Sequence, residues 1–116
     1  MDIYQGFFDL KPGTNDLEFA EAFNAYMAHL KSKGLIESFR LFRRKLGLGP
    51  DGLGDWQFLI EVKDLAQLDA AFRGVSERRD PIESKHFAVN SQVAAVKFAL
   101  YREFPDPHRH HGEEKF

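Results

Sequence analysis

The sequence predicts one α+β domain in which a four-stranded antiparallel sheet carries its helices on one face. Two observations favour this class. Segments typical of strands and helices follow one another in the order strand, helix, strand, strand, helix, strand, and the strands place apolar side chains at every second position. The length of 116 residues suits a single hydrophobic core. We therefore expect one domain over residues 1–104 and a flexible polar tail over residues 105–116.

The first strand is predicted over residues 2–10, where aromatic and β-branched residues end at a Lys-Pro-Gly turn. A helix follows, because Asn15 and Glu18 have the spacing of a capping box. Gly34 is a typical stop for this helix. Its apolar residues share one face at 100° per residue: Phe19, Ala20, Phe23, Tyr26, Met27 and Leu30.

Residues 35–47 and 54–63 are predicted to form the second and third strands of a hairpin. The connecting "GLGPDG" formally fits a dinucleotide-binding pattern. It leads into a strand instead of a helix, however, so no helix N-terminus is there to receive a pyrophosphate. We interpret it as a hairpin loop.

A second helix is predicted to begin at Asp64, because Asp64 and Gln67 again have the spacing of a capping box. A short third helix should begin around Pro81, since proline suits the first helical position. The last strand is predicted over residues 93–104. This order of elements is the ferredoxin-like arrangement.

Even-numbered positions of the first, third and last strands form a continuous apolar set that belongs under the helices: Tyr4, Gly6, Phe8, Leu10, Trp56, Phe58, Ile60, Val62, Ala94, Val96, Phe98 and Leu100. The second strand presents Phe39, Leu41 and Arg43 on one face and Arg40, Phe42 and Arg44 on the other. The sequence leaves open which of these two faces meets the helices.

The second face of the sheet is also partly apolar, and the chain has no further helices to cover it. It carries Ile3, Phe7, Leu59, Val93 and Tyr101. A contiguous apolar surface of this kind is unusual on a protein that works alone in water. We therefore predict a homodimer through the open sheet face, with about 800 Å² buried on each partner.

Composition excludes several other functions. The 16 basic and 18 acidic residues give a net charge of -2, so we expect neither a nucleic-acid nor a membrane partner. RNA-recognition modules share this element order, but their pattern would bury Glu61 here. The chain has no cysteine, which excludes thiolate chemistry and favours a cytoplasmic location. His108, His110 and His111 in the tail are interpreted as solvated residues, and "FRLFRRK" as a charged edge strand.

The pattern of elements over residues 1–104 resembles the dimeric α/β-barrel superfamily, and its most local feature is "DPIESKHFAVN" ahead of the last strand. Antibiotic-biosynthesis-type monooxygenases, stress-responsive A/B-barrel proteins and polyketide cyclases share this pattern. Several of them have a histidine at the place that His86 takes here. The resemblance implies two protomers paired through their sheets, no tightly bound cofactor, and a small organic ligand in a cavity between the sheets.

His86 is the first candidate for catalysis, as a general base at the mouth of that cavity. It is alternatively a core-edge histidine, because Ile82 and Val89 share its helix face. No metal is expected, since no second histidine lies at coordinating spacing on this helix.

The remaining candidates lie on the mixed sheet face. Lys97 and Tyr101 are predicted to stabilise an enolate or phenolate. The predicted substrate-binding residues are Gln5, Phe7, Gln57, Leu59 and Glu61. The polar members of this group are alternatively a network that holds the dimer together. The two functions that follow are a cofactor-independent monooxygenase-like or cyclase-like enzyme, and a non-catalytic ligand-binding or stress-related dimer.

Overall fold

The computed structural model describes residues 1–112, which contain four strands and three helices. In chain order these are β1 (Asp2–Leu10), α1 (Asp16–Ser32), β2 (Ser38–Arg43), β3 (Trp56–Val62), α2 (Leu65–Ser76), α3 (Ile82–Asn90) and β4 (Val93–Arg102). The strands form one antiparallel sheet in the order β2-β3-β1-β4. The predicted ferredoxin-like α+β fold is confirmed.

Three strands are shorter than predicted. β3 covers Trp56–Val62 instead of residues 54–63. β2 begins at Ser38 because the residues before it form the turn that follows α1, where the Leu35 amide donates to the Leu30 carbonyl over 3.0 Å. β4 ends at Arg102. The predicted flexible tail runs past residue 112, so its last four positions lie outside the described residues, and the tail stays a prediction.

Helices α1 and α2 begin where capping chemistry predicts. Asn15 Oδ1 accepts a hydrogen bond from the Glu18 amide over 3.0 Å, and Asp64 Oδ1 accepts one from the Gln67 amide over 2.9 Å. Gln67 Oε1 in turn accepts from the Lys63 amide over 2.7 Å, which ties the end of β3 to α2. Such caps satisfy amides that the helix itself cannot pair. None of the helices within residues 1–112 is long and apolar enough to cross a membrane.

The core lies between the helix layer and one face of the sheet. Phe8, Phe19, Phe23 and Val62 are its largest fully buried side chains. The register of β2 settles the question that the sequence left open, because its odd positions pair with helix-facing positions of β3. Phe39 and Leu41 accordingly pack against the core, and the Arg43 guanidinium lies 5.4 Å from the centre of the Trp56 ring: this face of β2 is the one under the helices.

A β-bulge changes the alternation at the start of β4. Phe7 pairs with Lys97 but Asp9 pairs with Ala94, so β4 carries one extra residue, and Ala95 there has a φ of 52°. The extra residue turns Val93 towards the core and Ala94 towards the open face. The prediction that Val93 lies on the open face is therefore wrong.

Candidate functional site

A cavity of about 200 Å³ lies between the helix layer and the sheet. All three helices and the strands β1, β3 and β4 contribute to its wall, which is mostly apolar. Its aromatic lining consists of Tyr4, Phe8, Phe19, Phe23, Tyr26, Phe58, Phe72 and Phe98. Among residues 1–112, the polar side chains that line it are Tyr4, Tyr26, His86 and Asn90.

Helix α1 brings Tyr26 into this cavity. Tyr26 follows Phe19 by seven residues and Phe23 by three, so helical periodicity places all three on the buried face. Burial raises the pKa of the Tyr26 phenol to about 12, with smaller contributions from the negative charge of Glu83 and from Tyr4. The phenol is consequently neutral near pH 7 and can donate a hydrogen bond into an apolar space.

Helix α3 brings His86 to the same wall. Ile82 and Val89 pack against the core, and the imidazole, which shares their face, meets the Tyr26 ring edge to face, with centroids 5.8 Å apart and planes at 66°. Asp80 secures the start of this helix, since its Oδ1 accepts hydrogen bonds from the Ser84 amide, over 3.0 Å, and from the Ser84 hydroxyl. These two bonds hold the pKa of Asp80 below its usual range.

The strands give the cavity an aromatic floor. Gly6 in β1 lies opposite Phe58 in β3 and Phe98 in β4. A Cβ at Gly6 would lie 2.2 Å from Phe58 Cε1, so the absence of a side chain is what lets this ring lie over the strand. Tyr4 stacks on Phe98 with centroids 5.7 Å apart and planes at 8°, and burial raises the pKa of its phenol as well. A ligand in the cavity would meet aromatic rings here.

The other predicted site residues lie together on the opposite face of the sheet. The register pairs Phe7 with Gln57 and Lys97, and Gln5 with Leu59. Ile3 pairs with Glu61 on one side and with Tyr101 on the other. The expectation that these seven residues share one face is met.

The same geometry separates the seven residues from His86. His86 lines the helix-side cavity, whereas Gln5, Phe7, Gln57, Leu59, Glu61, Lys97 and Tyr101 lie across the sheet from it. The prediction of one site formed by all eight residues is therefore not met within the protomer. The reason is that α3 packs on α1 in the helix layer, so the side chains on its inner face point to the helix side of the sheet. Lys97 is instead bonded to the loop before β3, where its Nζ donates to the Gly52 carbonyl.

The sequence interpretation missed Tyr4 and Tyr26 as functional candidates. Both were assigned to the core, because each falls on the apolar face of its element. The signal that could have found them is chemical: they are hydroxyl-bearing residues within otherwise apolar faces, and a buried phenol needs a partner for its hydroxyl.

Comparison with known proteins is consistent with this fold. A sequence model described as a family of unknown function, DUF6614, matches residues 1–116. No curated protein matches the chain.

Several solved structures are similar. SnoaB, a cofactor-independent oxygenase from Streptomyces nogalater, is 13% identical with a TM-score of 0.65, over 93% of this chain and 97% of that one. The protein At3g17210 from Arabidopsis thaliana is 8% identical with a TM-score of 0.71, over 91% and 98%. A dimeric ferredoxin-like protein of unknown function from Jannaschia is 11% identical with a TM-score of 0.65, over 88% and 98%. At these identities the likeness concerns the fold.

Proposed function

Because the chain belongs to the DUF6614 family, whose function is unknown, we propose a function from its geometry: a homodimeric enzyme without a tightly bound cofactor that removes a proton from a small aromatic or polyketide-like molecule. The substrate occupies the helix-side cavity. The observation that carries this proposal is the presence of a histidine and two phenols in one mostly apolar, aromatic-lined cavity.

His86 and Tyr26 divide the chemistry between them. The neutral imidazole of His86 accepts a proton from an acidic C–H or O–H group of the substrate. Negative charge then develops on the substrate oxygen, and the Tyr26 phenol, whose pKa of about 12 keeps it protonated, donates a hydrogen bond to that oxygen. Such a bond is stronger in an apolar cavity than in water. Tyr4 is the second donor.

The size of the cavity limits the substrate. An apolar protein cavity of about 150 Å³ binds benzene, so about 200 Å³ accepts a molecule of one or two rings. The floor of Tyr4, Phe58 and Phe98, in which Tyr4 and Phe98 are nearly parallel and Phe58 is tilted by 51° to both, favours an aromatic ring system, which can stack or meet ring edges there.

The likeness to SnoaB supports oxygen as the second reactant. For a naphthol the balanced reaction is C10H8O + O2 → C10H6O2 + H2O. One oxygen atom forms the new carbonyl, the other leaves as water, and the substrate supplies the electrons once it has lost its proton. Removing that proton is the part of the reaction that we assign to His86.

The homodimer proposal rests on the open sheet face, where Ile3, Phe7 and Leu59 are apolar strand residues with no helix above them. In this dimer the seven predicted residues of that face lie between the two sheets. Gln5, Gln57, Glu61 and Tyr101 form the polar network that holds the two subunits together, whereas Lys97 is bonded to the Gly52 carbonyl of its own chain. The dimeric description of the Jannaschia protein supports this arrangement.

Proton removal can be tested without knowing the natural substrate. 2-Tetralone, a bicyclic ketone with an acidic C–H, exchanges that hydrogen for deuterium in heavy water, and NMR follows the exchange. We expect the protein to accelerate the exchange, His86→Gln to reduce the acceleration about 100-fold or more, and Tyr26→Phe to reduce it less. A second measurement tests whether oxygen is the other reactant: oxygen uptake is followed with 1-naphthol as the substrate, in buffer that contains a chelator.

Variants of the open face provide the control. Lys97→Met should leave the exchange rate unchanged, because Lys97 lies across the sheet from the cavity. Loss of exchange in Lys97→Met together with full activity in His86→Gln would place the site on the open face and refute the proposal. Ligand binding without any exchange would support the non-catalytic alternative.

A further inference from the structure

An apolar trough leaves the cavity along the helix-facing side of β4. Val96 lines the cavity and is partly buried, whereas Phe98 also lines it but is 62% exposed. Leu100, the next residue on this face, is 50% exposed. The row of apolar side chains thus begins inside the cavity and continues outside it.

The walls of this trough are defined by neighbouring rings. Leu100 pairs with Tyr4 across the two strands, and the Tyr4 ring is the one that stacks on Phe98. On the other side Phe72 of α2 meets Tyr4 edge to face, with centroids 5.4 Å apart and planes at 86°. Phe72 lines the cavity and is 49% exposed. We define the trough by Phe72, Phe98 and Leu100, with Tyr4 as its floor.

From this continuity we infer that the cavity binds the aromatic ring of a molecule that also carries a flexible aliphatic chain, and that the chain lies in the trough. This inference rests on the proposed function, since it assigns the ring to the same cavity. Successive same-face residues of a strand are about 7 Å apart, so the exposed row from Phe98 to Leu100 accepts a chain of a few methylene groups.

The exposed area favours a ligand chain over a protein partner. Three large side chains that are about half exposed present roughly 300 Å². A stable protein interface needs about 800 Å² on each side. The trough is therefore too small to hold a second protein by itself, whereas an aliphatic chain is narrow enough to be covered by it.

A series of 4-alkylphenols tests the inference by isothermal titration calorimetry. Phenol occupies the cavity, and 4-ethylphenol, 4-butylphenol and 4-hexylphenol extend into the trough. We expect the Kd to fall about two- to four-fold for each added methylene group until the trough is filled, and then to level off. One ligand should bind per chain.

Leu100→Ser is the test variant, because it removes apolar surface from the trough and not from the cavity wall. It should leave the Kd of phenol unchanged and raise the Kd of 4-hexylphenol several-fold. Leu17→Ser is the matched control: Leu17 is 73% exposed in the first turn of α1, and its replacement should change neither Kd. Thermal unfolding of both variants verifies that they are folded.

The outcomes separate this inference from the proposed function. If phenol binds but longer chains gain nothing, the trough is refuted and the cavity proposal stands. If no phenol binds in wild type, the cavity proposal fails. A gain with chain length that persists in Leu100→Ser also refutes the trough. If the Leu100→Ser variant in addition sediments as a monomer while wild type sediments as a dimer, the surface is a contact between subunits.

Discussion

Tyr26 shows how burial gives a single side chain two effects. Its side chain is buried in the core, and burial, Glu83 and Tyr4 together raise the pKa of its hydroxyl to about 12. The phenol therefore stays protonated, and able to donate a hydrogen bond, up to a more alkaline pH than an ordinary tyrosine. The same shift makes the stability of the fold depend on alkaline pH, because the unfolded chain returns this phenol to a pKa near 10.

We predict that the contribution of Tyr26 to stability is complete below pH 10 and decreases as the pH rises from 10 to 12. Over this range the unfolded state has released the proton while the folded state still holds it. The decrease is at most about 1.4 kcal/mol per pH unit. Urea unfolding gives the free energy of unfolding of wild type and of Tyr26→Phe. The wild-type value minus the Tyr26→Phe value should be lower at pH 11 than at pH 8. A difference that stays constant across this range would contradict the assignment.

The sequence identifies His86 directly, whereas for its partners Tyr26 and Tyr4 the only sequence signal is a hydroxyl group on an otherwise apolar face. Its neighbours Ile82 and Val89 identify the inner face of α3, and a histidine on an inner face is unusual enough to be noticed. Tyr26 lies among core aromatics and differs from them by one oxygen atom. Whether such an oxygen meets packed side chains or a cavity depends on how well the volumes of facing side chains match, which the spacing of residues along the chain does not determine.

At the scale of the element, the strands show which patterns of side chains predict structure and which do not. Alternation predicts the faces of β1 and β3 correctly, because their ladders are regular. It fails at the start of β4, where Ala95 is an extra residue and reverses the pattern for Val93. The surrounding "VAAV" alternates equally well in both registers, so the sequence gives no sign of the bulge.

We predict opposite effects for two glycine replacements in different elements. Gly6→Ala should destabilise the fold by about 1–3 kcal/mol, because the new Cβ would lie 2.2 Å from Phe58 Cε1 and must displace that ring. Gly74→Ala in α2 should stabilise it by up to about 1 kcal/mol, since the nearest atom would be 3.6 Å away and alanine favours helix. Urea unfolding measures both. Equal effects would contradict the described packing of Phe58.

At the scale of the whole molecule, one sheet has two different faces. With the exception of Val93, the sequence predicts correctly which residues share the open face, and it predicts the helix layer on the other. It does not predict on which side the cavity lies, because a cavity results from imperfect packing between layers and not from the pattern within one strand. The residues predicted to form one site therefore lie on the two different faces of the sheet.

We predict that the wild-type chain is a dimer at micromolar concentration and that Leu59→Glu converts it to a monomer. Leu59 lies on β3 in the middle of the open face, where a carboxylate from each subunit would be brought together. Sedimentation velocity measures the change, and Leu17→Glu on the exposed part of α1 is the control. A wild-type chain that sediments as a monomer would refute the homodimer.

The bulge at Ala95 has a consequence for how this chain can vary over evolutionary time. On either side of it, inside and outside are assigned by opposite parity of residue number, so β4 can lose one residue there without rearrangement: if Ala95 were removed, Val93 would still face the core, Ala94 the open face, and the rest of β4 would stay in place. Point substitutions can change the cavity side and the open side of the sheet independently, because β1 and β3 place successive residues on alternate faces. Insertions and deletions within those strands cannot, since each would transfer a whole row of side chains from one face to the other.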